Sequence, residues 1–287
     1  MLQVARLAPK LLGESADLVQ GFLHRQQNDD GGFKDRAGCS DLYYTVFGLE
    51  GLLALQAELP VARVEQYLRT FADGAGLDFV HLCCLARCWA ALPVRPPELV
   101  RATLLRRIEE HRSGDGGYHP VAGSGFGTAY GCFLALAAHQ DLLNEPPVPL
   151  GLVQCLKFLE TPDGAWANER ILKTGSTNAT AAATTLLRYL GLPLNPAVGD
   201  WLLARFHPQG GFLAAPNAPL PDLLSTATVL HALAGMQREV SALKETCLDY
   251  VDSLWTNDGA FHGHWGEDTL DCEYTYYGLL ALGHLSL

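Results

Sequence analysis

Two hydrophobic patterns alternate along the chain. In the first, apolar residues recur three and four positions apart, as Leu18, Phe22 and Leu23 do within residues 14–27. In the second, a stretch such as 43–55 is apolar on nearly all sides. A helix that is apolar all round is buried, so the second pattern predicts an inner helix and the first an outer helix. Further amphipathic stretches lie near 60–72, 97–112, 150–160, 196–206 and 240–255, and further apolar ones at 79–92, 126–138 and 274–287.

A recurring turn separates the two helices of each pair. It contains an acidic or amide residue, a glycine, a small residue and an aromatic residue. It occurs as Asp30-Gly31-Gly32-Phe33, Asp115-Gly116-Gly117-Tyr118, Asp163-Gly164-Ala165-Trp166, Gln209-Gly210-Gly211-Phe212 and Asp258-Gly259-Ala260-Phe261. Asp73-Gly74-Ala75-Gly76 marks one more unit without the aromatic residue, so that units recur roughly every 48 residues.

Six such pairs predict an all-α fold, an α/α toroid (barrel) of six helical hairpins with six inner and six outer helices. Glycine supplies the backbone angles that a tight reversal needs, and the aromatic residue packs between neighbouring hairpins. We interpret residues 1–287 as a single domain of this kind.

Composition narrows the function classes. The chain of 287 residues is 48% hydrophobic and 18% charged, which allows a large core and argues against disorder. Its net charge of −11 argues against nucleic acid or an anionic membrane as the partner. The eight cysteines lack zinc-ribbon or disulfide spacing, and no signal peptide or membrane-spanning segment is evident. We therefore predict a soluble, cytoplasmic protein.

The starts of the inner helices are the predicted location of the site. All six begin at one end of the barrel, where unpaired N–H groups favour an anionic ligand group. Thr45, Thr128, Thr226 and Thr275 align near these starts, four residues after Asp41, Ser124, Asp222 and Asp271. The acidic residues either cap the helices or act as metal ligands or proton donors. Aromatic residues suited to an unsaturated chain are Tyr44, Phe47, Tyr130, Tyr274 and Tyr277.

The glycine-glycine-aromatic turns resemble those of protein prenyltransferase β subunits and terpene cyclases. The most similar single repeat is 31–55, which contains Ser40-Asp41-Leu42-Tyr43-Tyr44-Thr45. The resemblance implies the α/α toroid, an isoprenyl diphosphate or other polyprenyl lipid as ligand, and a helical α subunit as a partner.

The prenyltransferase motif Arg-x-x-Lys-x-x-Asp-x-Cys matches only in part. Arg170 and Lys173 stand at the two positions that bind prenyl diphosphate in the family, but Ser176 and Asn178 replace the Asp and Cys zinc ligands. Ser225 replaces the third ligand, a His. Zinc is not expected with these residues, because it needs thiolate, imidazole or carboxylate groups. Mg²⁺ could accompany a diphosphate substrate, and no cofactor is assigned.

The Asp-x-Asp-Asp-Thr motif of terpene cyclases is similar to Asp271-Cys272-Glu273-Tyr274-Thr275. This resemblance implies Glu273 or Asp271 as the general acid that protonates the substrate. A relocated metal site formed by His262, His264 and Asp271 is a further alternative.

Three functions remain open on the sequence. The first is an isoprenoid-handling enzyme that transfers a prenyl group without the family zinc site. The second is a class II terpene cyclase-like enzyme, and the third is a non-catalytic lipid-binding or protein-interaction scaffold.

Overall fold

The computed structural model describes residues 1–143 and 151–287. Leu150, the first residue of the predicted stretch 150–160, lies outside the described residues. The helices in chain order are α1 (Leu2–Ala5), α2 (Pro9–Leu12), α3 (Ser15–Arg25), α4 (Leu42–Ala54), α5 (Val61–Arg69), α6 (Phe79–Ala91), α7 (Glu98–Glu109), α8 (Ala129–Leu142), α9 (Leu152–Phe158), α10 (Thr177–Tyr189), α11 (Pro196–Leu203), α12 (Leu223–Gly235), α13 (Lys244–Ser253) and α14 (Cys272–Leu285). A 3-10 turn, Ser241–Leu243, precedes α13.

The helices form two concentric rings. Helices α4, α6, α8, α10, α12 and α14 form the inner ring, in which each helix contacts the next and α14 contacts α4. Helices α3, α5, α7, α9, α11 and α13 lie outside it. The core lies between the rings: a Cβ atom at Gly51 would come within 2.8 Å of Leu23 on the first outer helix. The predicted α/α toroid of six inner and six outer helices is confirmed.

Turn glycines allow close packing against the outer helix of the next hairpin, as in the first and the last unit. Gly31 has φ +99°, and a Cβ atom there would lie 2.1 Å from the carbonyl oxygen of Arg63 on α5. Gly259 has φ +84°, and a Cβ atom there would lie 2.1 Å from the carbonyl oxygen of Leu18 on α3. The turn of the last unit thus packs against the first unit, which closes the ring.

Three short antiparallel sheets, which the hydrophobic pattern does not predict, connect turns to helices. They pair β1 (Phe33–Lys34) with β2 (Ser40–Asp41), β3 (Phe212–Leu213) with β4 (Pro221–Asp222), and β5 (Trp255–Thr256) with β6 (Ala260–Phe261). Phe33 lies opposite Asp41 and Phe212 opposite Asp222, so the turn aromatic and the helix cap stand side by side.

The aligned threonines hold this junction together. Thr45 Oγ1 accepts the N–H of Phe33 at 3.0 Å and donates to the carbonyl oxygen of Asp41 at 2.6 Å. In the fifth unit, Thr226 has the same two hydrogen-bond partners, Phe212 and Asp222. In the fourth unit Thr180, which the alignment missed, accepts from Trp166 and donates to Ser176.

The third unit differs from the predicted alignment. Helix α8 begins at Ala129, and Thr128 is its cap, accepting the N–H of Gly131 at 2.9 Å. Ser124 is therefore a loop residue, with its hydroxyl 2.9 Å from His119 Nδ1. The predicted start at 126 was wrong by three residues, because glycines at 123, 125 and 127 disfavour helix.

The amino-terminal helix α1 packs on α14 and α4. It lies near the carboxyl-terminal end of α14, where a Cβ atom at Gly283 would be 2.2 Å from the carbonyl oxygen of Val4. Met1 reaches the centre of the ring, a position that the hydrophobic pattern did not predict.

Candidate functional site

The inner ring encloses a cavity of about 370 Å³, called the lumenal cavity below. Its volume is in the range of small-molecule binding sites. All six inner helices contribute side chains to its wall, and α10, across the ring from α4, contributes only small and polar ones. The aromatic side chains of the wall are Tyr43, Phe47, Tyr130, Phe133, Tyr276 and Tyr277. A cavity of this kind suits an unsaturated hydrocarbon chain.

The predicted aromatic residues are only partly in the wall. Phe47, Tyr130 and Tyr277 line the cavity, with the Phe47 and Tyr277 ring centres 5.5 Å apart. Tyr44 and Tyr274 do not line it. Because the inner helices are apolar on every side, the pattern could not tell which aromatic residues face inward.

Tyr43, Phe133 and Tyr276 are lining residues that the sequence reasoning did not assign. Their spacing was an available signal, since Tyr43 precedes Phe47 by four residues and Phe133 follows Tyr130 by three. Residues three or four apart lie on the same face of a helix.

Tyr43, which lines the cavity, is hydrogen-bonded to Glu273, which lies behind it and does not line the cavity. The Tyr43 hydroxyl donates to Glu273 Oε1 at 2.6 Å. Burial raises the pKa of Glu273 to about 7, the hydrogen bond from Tyr43 opposes this rise, and the nearby Asp271 carboxylate adds to it. Burial also raises the pKa of the Tyr43 phenol. Glu273 can therefore hold a titratable proton near neutral pH, one hydrogen bond away from the cavity wall, whereas the Tyr43 phenol stays protonated.

Asp271, the other predicted acid, is a helix cap. It is 2% exposed and accepts the N–H of Tyr274 at 2.8 Å. Burial raises its pKa, and the adjacent Arg36 guanidinium opposes that rise. Like Glu273, Asp271 does not line the cavity. Its carboxylate raises the pKa of Glu273, which is hydrogen-bonded to the lining residue Tyr43.

Arg36 is a site residue that the sequence reasoning missed. Its Nε donates to Asp271 at 3.0 Å and its Nη1 to Glu267 at 3.2 Å. Its guanidinium also lies 5.5 Å from the centre of the Tyr274 ring. The only signal in the sequence was an Arg three residues after the turn aromatic, Phe33.

The end of the ring at which the inner helices begin is called the rim. Each inner helix is capped there by a side chain that accepts a backbone N–H of its own first turn. The caps are Asp41, Asp78, Thr128, Ser176, Asp222 and Asp271. Four of these six caps are carboxylates, which use N–H groups of the first turns and add negative charge. This argues against an anion site at these N-termini, which stays a prediction.

One histidine bridges two of these rim carboxylates. His81 Nε2 lies 3.0 Å from Asp41 and its Nδ1 lies 2.9 Å from Asp78. Burial lowers the pKa of His81, but the two hydrogen bonds outweigh burial, and the net effect is a raised pKa.

Arg170 and Lys173 do not line the lumenal cavity, and their role in binding a diphosphate stays a prediction. Both are exposed, and the Arg170 guanidinium stacks 4.4 Å from the ring centre of Phe126 and 5.0 Å from that of Phe158. The loop turns outward after Asn168, which does line the cavity and hydrogen-bonds the first turn of α8. The aromatic stacking holds the guanidinium on the outer side of the loop.

Uncharged groups occupy the positions of the family zinc ligands. Ser176 and Asn178 line the cavity, and Asn178 Oδ1 lies 3.1 Å from the hydroxyl of Thr228. Ser225 donates to Asp222 at 2.7 Å. Hydroxyl and amide groups do not fit zinc, which prefers thiolate, imidazole and carboxylate. In the ranges that the structure describes, no three His, Cys, Asp or Glu side chains form a metal-binding group.

The alternative metal residues His262, His264 and Asp271 are not brought together either. His264 Nδ1 accepts the N–H of Gly266 at 3.1 Å, and His262 Nδ1 is buried without a hydrogen-bond partner. The Asp271 carboxylate accepts hydrogen bonds from Arg36 Nε and, as the cap of α14, from the Tyr274 N–H. Each of the three side chains has a separate environment.

The family of the chain follows from a sequence profile. A profile of the prenyltransferase alpha-alpha toroid domain matches residues 10–73 and 180–286, more than half of the chain. The chain belongs to this family. A search of curated proteins found no match.

Solved structures share the fold at low identity. The type II terpene cyclase MstE from Scytonema is 16% identical, with a TM-score of 0.60 over 100% of this chain and 98% of its own. An MstE variant in complex with its substrate geranylgeranyl dihydroxybenzoate is 13% identical, with a TM-score of 0.63 over 97% of both chains. Candida albicans protein geranylgeranyltransferase-I, complexed with GGPP, is 16% identical, with a TM-score of 0.56 over 99% of this chain and 81% of its own.

None of the helices in the described ranges is both long enough and apolar enough to cross a membrane.

Proposed function

We propose that this protein is an isoprenoid-handling enzyme that holds a prenyl chain in the lumenal cavity and cyclises it after protonation. The observation that carries the proposal is the Tyr43–Glu273 hydrogen bond at the wall of an aromatic cavity. A pKa of about 7 leaves much of Glu273 protonated at neutral pH. Such a group is matched to general-acid work.

The proton moves through two groups. When Glu273 is protonated, its hydroxyl donates to the Tyr43 oxygen and the Tyr43 O–H turns toward the chain. Tyr43 then gives its phenolic proton to one carbon of a chain double bond, and Glu273 passes its own proton to the Tyr43 oxygen. The carbon–carbon π pair becomes the new C–H bond and leaves a carbocation at the neighbouring carbon. A second double bond attacks that cation and closes a ring. Loss of a proton to the Glu273 carboxylate, through Tyr43, gives a product isomeric with the substrate.

The aromatic wall stabilises the cationic intermediate. The ring centres of Phe47, Tyr276 and Tyr277 lie within 6.0 Å of one another, and all three line the cavity. Their ring faces attract positive charge, by an amount of about 0.5–2 kcal/mol for each contact. The cavity also shields the cation from bulk water.

Prenyl transfer, the first function inferred from the sequence, has less support. It needs a diphosphate site and an activated nucleophile, but Arg170 and Lys173 lie outside the cavity. Uncharged Ser176, Asn178 and Ser225 stand where the family activates its acceptor. Both MstE and the geranylgeranyltransferase were solved with geranylgeranyl ligands, which agrees with a prenyl chain as the ligand of this cavity.

Product analysis tests the proposal. Purified protein is incubated with farnesyl and geranylgeranyl chains that carry hydroxyl, phenolic or diphosphate heads. We expect a cyclic product isomeric with its substrate from the wild type and none from Glu273→Gln, which retains chain binding. A product with the prenyl group moved to an acceptor would favour the transferase, and binding without any product would favour a non-catalytic scaffold.

Three sequence interpretations remain predictions. They are the cytoplasmic location, a helical α-subunit partner and the organisation of residues 1–287 as one domain. Co-purification from the native source followed by mass spectrometry tests the α subunit.

A further inference from the structure

We infer that the head group of the ligand is an uncharged, oxygen-bearing group such as a hydroxyl or phenol, and not a diphosphate. The inference rests on the proposed binding of a prenyl chain in the lumenal cavity. The apolar wall accommodates the chain of the ligand but does not determine its head group.

The cavity wall offers no free side-chain cation. Arg87 is the one Arg or Lys side chain among the described lining residues, and it pairs with Glu50, which also lines the cavity. Arg87 Nε also lies 3.3 Å from Asp141. A guanidinium with two carboxylate partners has little capacity left for a phosphate group.

The rim repels anions. The carboxylates of Asp41, Asp222 and Asp271 cap three inner helices, and Glu267 lies beside Asp271. Arg36 is shared between Glu267 and Asp271, and His81, whose pKa is raised, is shared between Asp41 and Asp78. A diphosphate would add several negative charges to a surface at which carboxylates outnumber cations.

The exposed cations of the 170–173 loop do not compensate. The Arg170 guanidinium stacks on the rings of Phe126 and Phe158. Lys173 is exposed and absent from the cavity wall. Exposed charges act weakly on a buried ligand group, because salt and water screen them.

Uncharged polar groups face the cavity instead. Asn168 Oδ1 accepts the N–H of Tyr130 at 2.9 Å, which leaves its NH₂ group as a donor. Ser225 donates to Asp222 at 2.7 Å and Thr228 to Leu224 at 2.8 Å, so both hydroxyl hydrogens have acceptors other than Asn178.

The Asn178 amide, which lines the cavity, therefore keeps part of its hydrogen-bonding capacity for a ligand. Two amides and the hydroxyl of Ser176 suit a hydroxyl or phenol, which both donates and accepts.

The test compares three ligands with the same chain: farnesol, farnesyl diphosphate and the hydrocarbon farnesene. Binding is titrated calorimetrically at two salt concentrations. We expect farnesol to bind about tenfold more tightly than farnesyl diphosphate. We also expect added salt to improve diphosphate binding, because it screens the repulsion from the rim.

Asn178→Leu supplies the matched variant, with exposed Leu99→Ala as the control and thermal melting as the check on folding. Asn178→Leu should reduce farnesol affinity about tenfold and leave farnesene affinity unchanged. Tighter binding of farnesyl diphosphate that weakens with salt, or equal loss for farnesol and farnesene, would overturn the inference while leaving chain binding intact. Failure of all three ligands to bind would remove the proposed function and this inference with it.

Discussion

The hydroxyl of Tyr43 lies 2.6 Å from Glu273 Oε1, although the two residues belong to the first and the last inner helix. Closure of the ring is what brings them together. An aromatic hydroxyl at the cavity wall and a carboxyl group with a raised pKa behind it form a unit that neither helix supplies alone.

The activity should depend on pH through Glu273. Its pKa of about 7 is raised by burial, and the protonated form is the active acid. We expect kcat/KM to be highest below pH 7 and to fall as the pH rises through about 7. Glu273→Gln should lose at least about 100-fold in rate while binding the chain normally. A rate that rises with pH, or a fully active Glu273→Gln variant, would contradict the assignment of Glu273 as the general acid. The control for the change in net charge is Glu160→Gln, at an exposed position.

Asp271 and Arg36 should move this pH dependence in opposite directions. The Asp271 carboxylate raises the pKa of Glu273, whereas the Arg36 guanidinium lowers it. Asp271→Asn should therefore shift the falling limb of the rate profile to lower pH, and Arg36→Met should shift it to higher pH. Asn is as good a helix cap as Asp, so the first variant should keep the start of α14. Profiles that stay at the wild-type pH in both variants would show that these residues act only on the fold.

The stacking of Arg170 predicts a structural role for this residue. Arg170→Ala should leave the affinity for farnesol and farnesyl diphosphate unchanged and lower the free energy of unfolding by about 0.5–1 kcal/mol. Lys173→Ala, at an exposed position where the side chain makes no ion pair or hydrogen bond within the described residues, should change neither quantity. Calorimetric titration and urea unfolding measure the two effects. A large loss of diphosphate affinity in either variant would restore the diphosphate site predicted from the sequence.

The junction threonines should stabilise the fold. Thr226 is fully buried and joins the Phe212 N–H to the Asp222 carbonyl. Thr226→Val keeps the shape but leaves the N–H without an acceptor, so it should cost about 1–3 kcal/mol. The control is Thr185→Val on α10, because Thr185 makes only a bond within its own helix, to Ala181 at 2.9 Å. Equal effects in urea unfolding of the two variants would argue against the junction role.

The ring could be predicted because its signals are local and repeated. Turns such as Asp258-Gly259-Ala260-Phe261 and the all-round apolar helices each specify one unit, and six units close the toroid. The third unit was misaligned by one turn because Thr128 resembles Thr45 in type but holds the cap position. Residue type alone could not distinguish these two positions.

The candidate site was predicted only in part, because it depends on contacts between distant units. Glu273 was identified, but its partner Tyr43 lies 230 positions away in the chain. Arg170 matched a family motif in sequence, yet stacking on Phe126 directs it outward. A sequence motif specifies residue order, and the direction of a loop side chain depends on which neighbours it meets.

Deuterium incorporation tests the central claim most directly. The protein is incubated in D₂O with the prenyl substrates of the proposed cyclisation, and the product is examined by mass spectrometry and NMR. Protonation by Tyr43 and Glu273, whose protons exchange with solvent, predicts one carbon-bound deuterium in a cyclic product. A cyclic product without deuterium, or a product formed by transfer of the prenyl group, would contradict the account.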